Sequence, residues 1–264
     1  MPRFPVLFVS HGSPDIAVRR TPAHRALVDL GTSLPKPSAI VVISAHWETA
    51  APKVATGRAP ATVYDFSPQF DRRLWEIDYR APGADDVAER AAQLICEATG
   101  LPVGRDPDRG RDHGVWTPLH LMFPAHDIPI TQVSIQPDRS PIQHFEIGRA
   151  LSPLRDDGVL LIGSGAITHN LAAFRGQPVD APEPPWVASF RGWMTEEIES
   201  NRVSDVLDYR SAAPHARDNH PDGADEHLLP LFSALGAAAG ESGVRVHASV
   251  EHGVIGMDCF VWGQ

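Results

Sequence analysis

Val6-Leu7-Phe8-Val9-Ser10-His11-Gly12-Ser13-Pro14 joins an uninterrupted apolar run to a polar turn. A run this short, with no polar alternation, reads as a strand buried on both faces, as parallel strands of α/β proteins are. The pattern recurs twice. Ile40-Val41-Val42-Ile43-Ser44 runs into Ala45-His46-Trp47-Glu48, and Val159-Leu160-Leu161-Ile162 runs into Gly163-Ser164-Gly165 and then Thr168-His169-Asn170. Ligands of open α/β sheets bind beyond the carboxyl ends of the strands. His11, His46 and His169 are therefore delivered to one edge and read as a single polar site. Imidazole is the commonest protein metal ligand, so a metal-dependent enzyme is the first expectation.

Working outward, strands alternate with helices. Thr21-Pro22 supplies an N-cap and a first-turn proline for a helix ending near Gly31. The second strand covers Ala39 to Ser44. The proline-rich stretch from Ala50 to Gly83, holding Tyr64-Asp65-Phe66 and Trp75, has poor periodicity and reads as an excursion over the site. Asp85 to Thr99 is an amphipathic helix stopped by Gly100. Thr117-Pro118 reads as the N-cap and first residue of a short helix through Phe123. Ile130 to Ile135 is a strand, Ser140-Pro141 opens a helix ending near Pro153, and Val159 to Gly163 is the next strand. Glu183 to Ser200 and His227 to Ala239 read as helices. Val244 to His247 and Met257 to Trp262 are closing strands, expected to be antiparallel. The expectation is a single three-layer α/β domain over residues 1–264, with a mostly parallel central sheet and helices on both faces.

Composition narrows the function classes. Hydrophobic residues make up 42% of 264, enough for a substantial core. The net charge of −10 disfavours nucleic acid or an anionic membrane as partner. Cys96 and Cys259 lie far apart and form no CxxC pair, so neither reads as a zinc ligand. With no stretch long enough for a signal sequence or membrane span, a cytoplasmic protein is expected.

Bland readings suit most of the thirteen histidines. His24, His120, His126, His144 and His247 read as surface or packing residues, and Glu226-His227 as first-turn capping chemistry. Competing motifs fail. Gly163-Ser164-Gly165 is followed by no Gly-Lys-Ser/Thr and misses GxGxxG at Thr168. Ile162 stands where a GxSxG elbow needs glycine, and no HExxH occurs. Trp47, Trp116 and Tyr64, close to the motifs in sequence, suit a pocket for an aromatic ring and suit packing roles equally.

Five blocks in order carry a resemblance. They are Ser10-His11-Gly12-Ser13-Pro14, Ser44-Ala45-His46-Trp47-Glu48, Asp112-His113-Gly114-Val115-Trp116-Thr117-Pro118-Leu119, Gly163-Ser164-Gly165 with Thr168-His169-Asn170-Leu171, and Ala213-Pro214 through His220-Pro221 with Glu226-His227-Leu228-Leu229-Pro230-Leu231. Together they resemble the class III extradiol ring-cleavage dioxygenases, in the 4,5-DOPA dioxygenase-like branch. The resemblance implies an α/β fold and one metal site, with ferrous iron, Fe(2+), for catalysis and zinc, Zn(2+), as another occupant. It implies His11, His46 and His220 as metal ligands, and His169 as a further ligand or the acid/base group. His113 would face the substrate ring. The interval from His220-Pro221 to Glu226-His227 is longer than in that branch, and Glu226 competes with His220 for the third ligand position.

Three protein ligands on ferrous iron leave positions for a catechol and O₂, and a nearby histidine can move the phenolic proton. The expected reaction opens the ring beside its hydroxyls to give a semialdehyde. A zinc-dependent hydrolase or deacylase on a related scaffold, or a non-catalytic metal-binding module, are the alternatives.

Overall fold

The three apolar runs become the centre of one sheet. The computed structural model describes residues 3–263. Its strands are β1 (Val6–Ser10), β2 (Ala39–Glu48), β3 (Lys53–Ala55), β4 (Gly104–Asp106), β5 (Ile130–Ile135), β6 (Val159–Gly165), β7 (Gly243–His247), β8 (Val250–Glu251), β9 (Ile255–Gly256) and β10 (Cys259–Trp262). Eight of them form a sheet in the order β4-β3-β5-β2-β6-β1-β10-β7, while β8 and β9 pair separately. The centre from β5 to β1 is parallel. As expected, β10 and β7 close the sheet antiparallel.

The helices are α1 (Pro22–Ser33), α2 (Asp85–Thr99), α3 (His113–Met122), α4 (Pro141–Leu151), α5 (Leu171–Phe174), α6 (Pro185–Glu199), α7 (Val203–Leu207), α8 (Tyr209–Ala212), α9 (Ala216–Asn219) and α10 (Leu229–Ala237). Side chains alternate across a strand, which explains why the central strands carry no polar face. Val6, Phe8, Val41 and Ile43 pack with residues of α2, α4, α6 and α10. Leu7, Val9, Ile40 and Val42 pack on the other side with residues of α1 and α3. The result is the expected α/β domain, a mostly parallel sheet between two helical layers.

Four local expectations change. β2 runs on to Glu48, so His46 sits within the strand rather than after it. The Ala50 to Gly83 stretch contributes β3 to the main sheet and is not wholly an excursion. Gly31 lies inside α1, where a side chain would collide with the Met122 backbone, so its role is close helix packing. The fourth change bears on the site. α3 starts at His113 with Asp112 as N-cap, and Pro118 lies inside it rather than at its start. A proline there cannot donate to the carbonyl four residues back, which is that of Gly114. The Ser164 hydroxyl takes that carbonyl instead, and the Thr117 hydroxyl donates to the His113 carbonyl at 2.7 Å.

Candidate metal centre

The site stands at the carboxyl ends of β1, β2 and β6. His11 follows β1 directly, and its backbone N–H donates to the Gly165 carbonyl at 3.1 Å. The Ala166 N–H donates to the His227 carbonyl at 2.8 Å, which ties the chain ahead of α10 to the end of β6. That approach requires glycine. A Cβ at Gly165 would collide with the His227 carbonyl, and one at Gly163 with that of Pro230. The Gly-Ser-Gly sequence is thus a seat for the start of α10, and it brings His227 to the site.

His11, His46 and His227 form a nearly equilateral triangle. Their ring centroids lie 5.0, 5.3 and 4.9 Å apart, and one ring nitrogen of each falls within 4.8 Å of the others. Outer hydrogen bonds assign the tautomers of His11 and His227, and the nearest carboxylate assigns that of His46. Ser164 spends its single hydroxyl hydrogen on the Gly114 carbonyl, so its oxygen must accept from His11 Nδ1–H at 3.0 Å. His46 Nδ1 faces Asp65 Oδ2 at 3.4 Å, and His227 Nδ1 donates to Glu226 Oε1 at 2.9 Å. All three Nε2 atoms are then left with bare lone pairs. Those of His11 and His46 lie 3.1 Å apart. Two lone pairs at that distance repel unless an electropositive centre is shared, and a divalent ion with nitrogen ligands at about 2.0–2.1 Å satisfies that need.

Electrostatics agree. Burial, then repulsion from the His113 and His227 rings, holds His46 down at about 2. Burial, then the His169 ring, lowers His227 to about 4. His11 is pushed well below its ordinary value, by burial first and His46 second. Neutral imidazole is the form that ligates a metal. Two other groupings, His46-Asp65-His113 and His169-Glu226-His227, also have donor atoms close together. In both, the carboxylate is occupied by imidazole N–H groups, so the three-histidine triangle fits an ion best.

Two further histidines flank the triangle. His113 lies 3.9 Å from His46 between ring centroids, and its Nδ1 and backbone N–H both donate to Asp65 Oδ1, at 2.9 and 3.0 Å. His169 stacks on His227 at 3.5 Å, with Nδ1 3.5 Å from Glu226 Oε1. Each carboxylate therefore backs one histidine of the triangle and one flanking histidine. The donated hydrogen bonds and nearby rings hold Asp65 down at about 2 and push Glu226 below the usual carboxylate range, against the opposing effect of burial.

His220 does not join His11 and His46. It is fully buried, and its Nε2–H donates to the Ile167 carbonyl at 2.7 Å. The His169 N–H donates to the Asn219 carbonyl at 3.1 Å, and Asn170 Nδ2 donates to the Asp218 carbonyl at 2.7 Å. His220 thus fastens the loop carrying His169, because the chain at 215–220 packs against it. Glu226 likewise stands behind His227 rather than among the facing nitrogens.

The expected ring-pocket aromatics also change. A cavity of about 230 Å³ above the triangle is lined by five histidines (His11, His46, His113, His169, His227) and by Phe66, Phe70 and Phe174. Trp47, Trp116 and Tyr64 are not among its walls. Trp47 is the next strand residue after His46 and so points to the other face, beneath Arg109. Trp116 is buried with its indole N–H on the Val63 carbonyl, and the Tyr64 hydroxyl donates to that of Ile77. Sequence reasoning missed His227, Asp65, Ser164 and the three phenylalanines. The carboxylate adjoining His227 was the one available signal. His24, His120, His126, His144 and His247 lie outside the cavity lining, as expected.

Residues 13–257 match the LigB family, described as the catalytic LigB subunit of aromatic ring-opening dioxygenase. The chain is 38% identical to a 4,5-DOPA dioxygenase extradiol of Beta vulgaris, over 94% of this chain and 92% of that one. It is 35% identical to a 4,5-DOPA dioxygenase extradiol of Escherichia coli K12, over 97% and 93%. A crystal structure of an uncharacterized Escherichia coli K12 protein superposes with a TM-score of 0.79 at 32% identity, covering 99% of this chain and all of the other.

Proposed function

Because the chain belongs to the LigB family and is an extradiol ring-cleaving dioxygenase, we propose that His11, His46 and His227 hold ferrous iron beneath the cavity, with His113 and His169 moving the protons. The convergence of one ring nitrogen from each of three buried or half-buried histidines at the base of a ring-sized apolar cavity carries this reading. Iron(II) bound there would supply open positions for a catechol and O₂ and would acidify the phenol.

The remaining work falls to the side chains. Asp65 holds the Nδ1–H of His113, which leaves its Nε2 free to accept a catechol proton. His169, backed by Glu226, is the second group able to take and return one. Each carboxylate orients its ring from the Nδ1 side. The apolar walls keep bulk water from the open ring. Relatives named for 4,5-DOPA cleavage support a catechol as substrate, and the zinc-hydrolase and non-catalytic alternatives are not favoured. Residues 1–264 act as one catalytic domain. The free thiols of Cys96 and Cys259 support a reducing compartment such as the cytoplasm.

Anaerobic loading with iron(II), followed by air and a catechol, tests the reading. The expected result is uptake of one O₂ per catechol and the yellow absorbance of a ring-opened semialdehyde. Ester or amide cleavage without O₂ uptake would contradict it.

A further inference from the structure

We propose that the cavity selects catechols whose ring substituent is apolar and uncharged, over catechols bearing an amino-acid side chain. This deepens, and rests on, the dioxygenase reading. Beyond the histidines, the walls are Pro14, Phe66, Phe70, Leu171, Phe174 and Ile255, together with Gly12, Ala166 and the two serines Ser13 and Ser67. Among the described residues, no Lys, Arg, Asp or Glu lines the cavity. Asp65 and Glu226 lie behind imidazoles whose N–H groups they accept.

Among the described residues no arginine lines the cavity; Arg20 and Arg72 are exposed, and three others are paired. Arg19 pairs with Asp15, Arg73 with Asp71 and Arg109 with Asp112. Arg175, exposed and one residue past Phe174, does not line the cavity. A carboxylate or ammonium brought against these walls loses its hydration and finds no counter-charge.

Size fits the same substrate class. A cavity of about 150 Å³ accepts benzene, so about 230 Å³ holds a ring and a substituent of a few heavy atoms. Phe66 stands edge-on to both Phe70 and His113, at 5.6 and 5.9 Å between centroids. Leu171 is exposed at this wall and marks its solvent side. The amino-acid end of DOPA, the compound in the relatives' names, carries both charges that these walls leave unmatched.

The test compares 4-methyl-, 4-ethyl- and 4-propylcatechol with dopamine, DOPA and dihydroxyphenylpropanoate. Each is measured by kcat/KM for O₂ uptake on the iron-loaded protein. Each is also measured by calorimetric affinity for the zinc-loaded protein under anaerobic conditions. Both readouts should rise about fourfold per buried methylene, and the charged compounds should fall at least tenfold below the propyl compound. Equal or better binding of the charged compounds in the zinc-loaded protein overturns the proposal, whatever the turnover. Absent O₂ uptake with every catechol sinks the dioxygenase reading alone if the affinity order holds.

Leu171→Lys, at an exposed position, should shift relative affinity tenfold or more toward dihydroxyphenylpropanoate. No shift would show that this wall does not meet the substituent. A native preference for dihydroxyphenylpropanoate that disappears in Arg175→Ala would show a cation reading the substituent, and would also overturn the proposal.

Discussion

Ser164→Ala should weaken metal binding although Ser164 touches no metal. Ser164 is fully buried between the Gly114 carbonyl, freed by Pro118, and His11 Nδ1. Removing the hydroxyl leaves a buried acceptor and a buried donor without partners, at about 1–3 kcal/mol each. His11 can recover part of that cost by moving its proton to Nε2, where the His46 Nε2 lone pair waits 3.1 Å away. That tautomer blocks the nitrogen the ion needs. Loss of a hydrogen bond that orients a ligating histidine typically lowers metal affinity 10–100-fold, about 1.4–2.7 kcal/mol. Competition against a zinc chelator near neutral pH gives the affinity, and urea melts of metal-free protein give the stability. An affinity within twofold of the parent, in protein that still folds, would refute the tautomer assignment and the role given to Pro118.

The proton-transfer and acid-stability expectations are separable from metal content. His169→Phe should keep its metal and lose turnover about 10²–10⁴-fold; a folded but metal-free product would place His169 among the ligands. His144, buried outside the site, accepts the Gln136 N–H at Nε2 and donates to the Ser140 carbonyl through Nδ1. Burial holds its ring down at about 4, below an unfolded value of about 6.5. The unfolded chain therefore binds the extra proton between those values, so stability is complete above about pH 6.5 and declines toward pH 4. The full span is worth roughly 3 kcal/mol. His227 at about 4 and His220 at about 3 act in the same direction. The urea midpoint of metal-free protein should fall steadily over that window, and a flat midpoint would contradict neutral burial.

The sheet was legible because Val6–Ser10, Ala39–Ser44 and Val159–Ile162 are short, apolar on both faces and rich in Val and Ile, as strands covered on two sides are. That His11 and His46 come together was legible for the same reason, since the carboxyl ends of such strands share one edge of the sheet. The third corner was not. His220 and His227 bracket one irregular segment, and the choice between them rests on how it folds. The chain at 215–220 packs against the loop at 166–170, while the His227 backbone meets Gly165. Asp65, Phe66 and Phe70 were hidden because they lie in a stretch without periodicity. Trp47 misled because nearness in sequence places consecutive strand residues on opposite faces.

Elemental analysis of folded His227→Ala and His220→Ala, each loaded with one equivalent of iron(II) or zinc, tests the metal centre most directly. With His11, His46 and His227 as the ligand set, His227→Ala comes out metal-free. His220→Ala retains close to one ion per chain, and loses activity only through the loosened His169 loop. Full metal in His227→Ala beside empty His220→Ala would contradict that ligand set and return the third corner to His220.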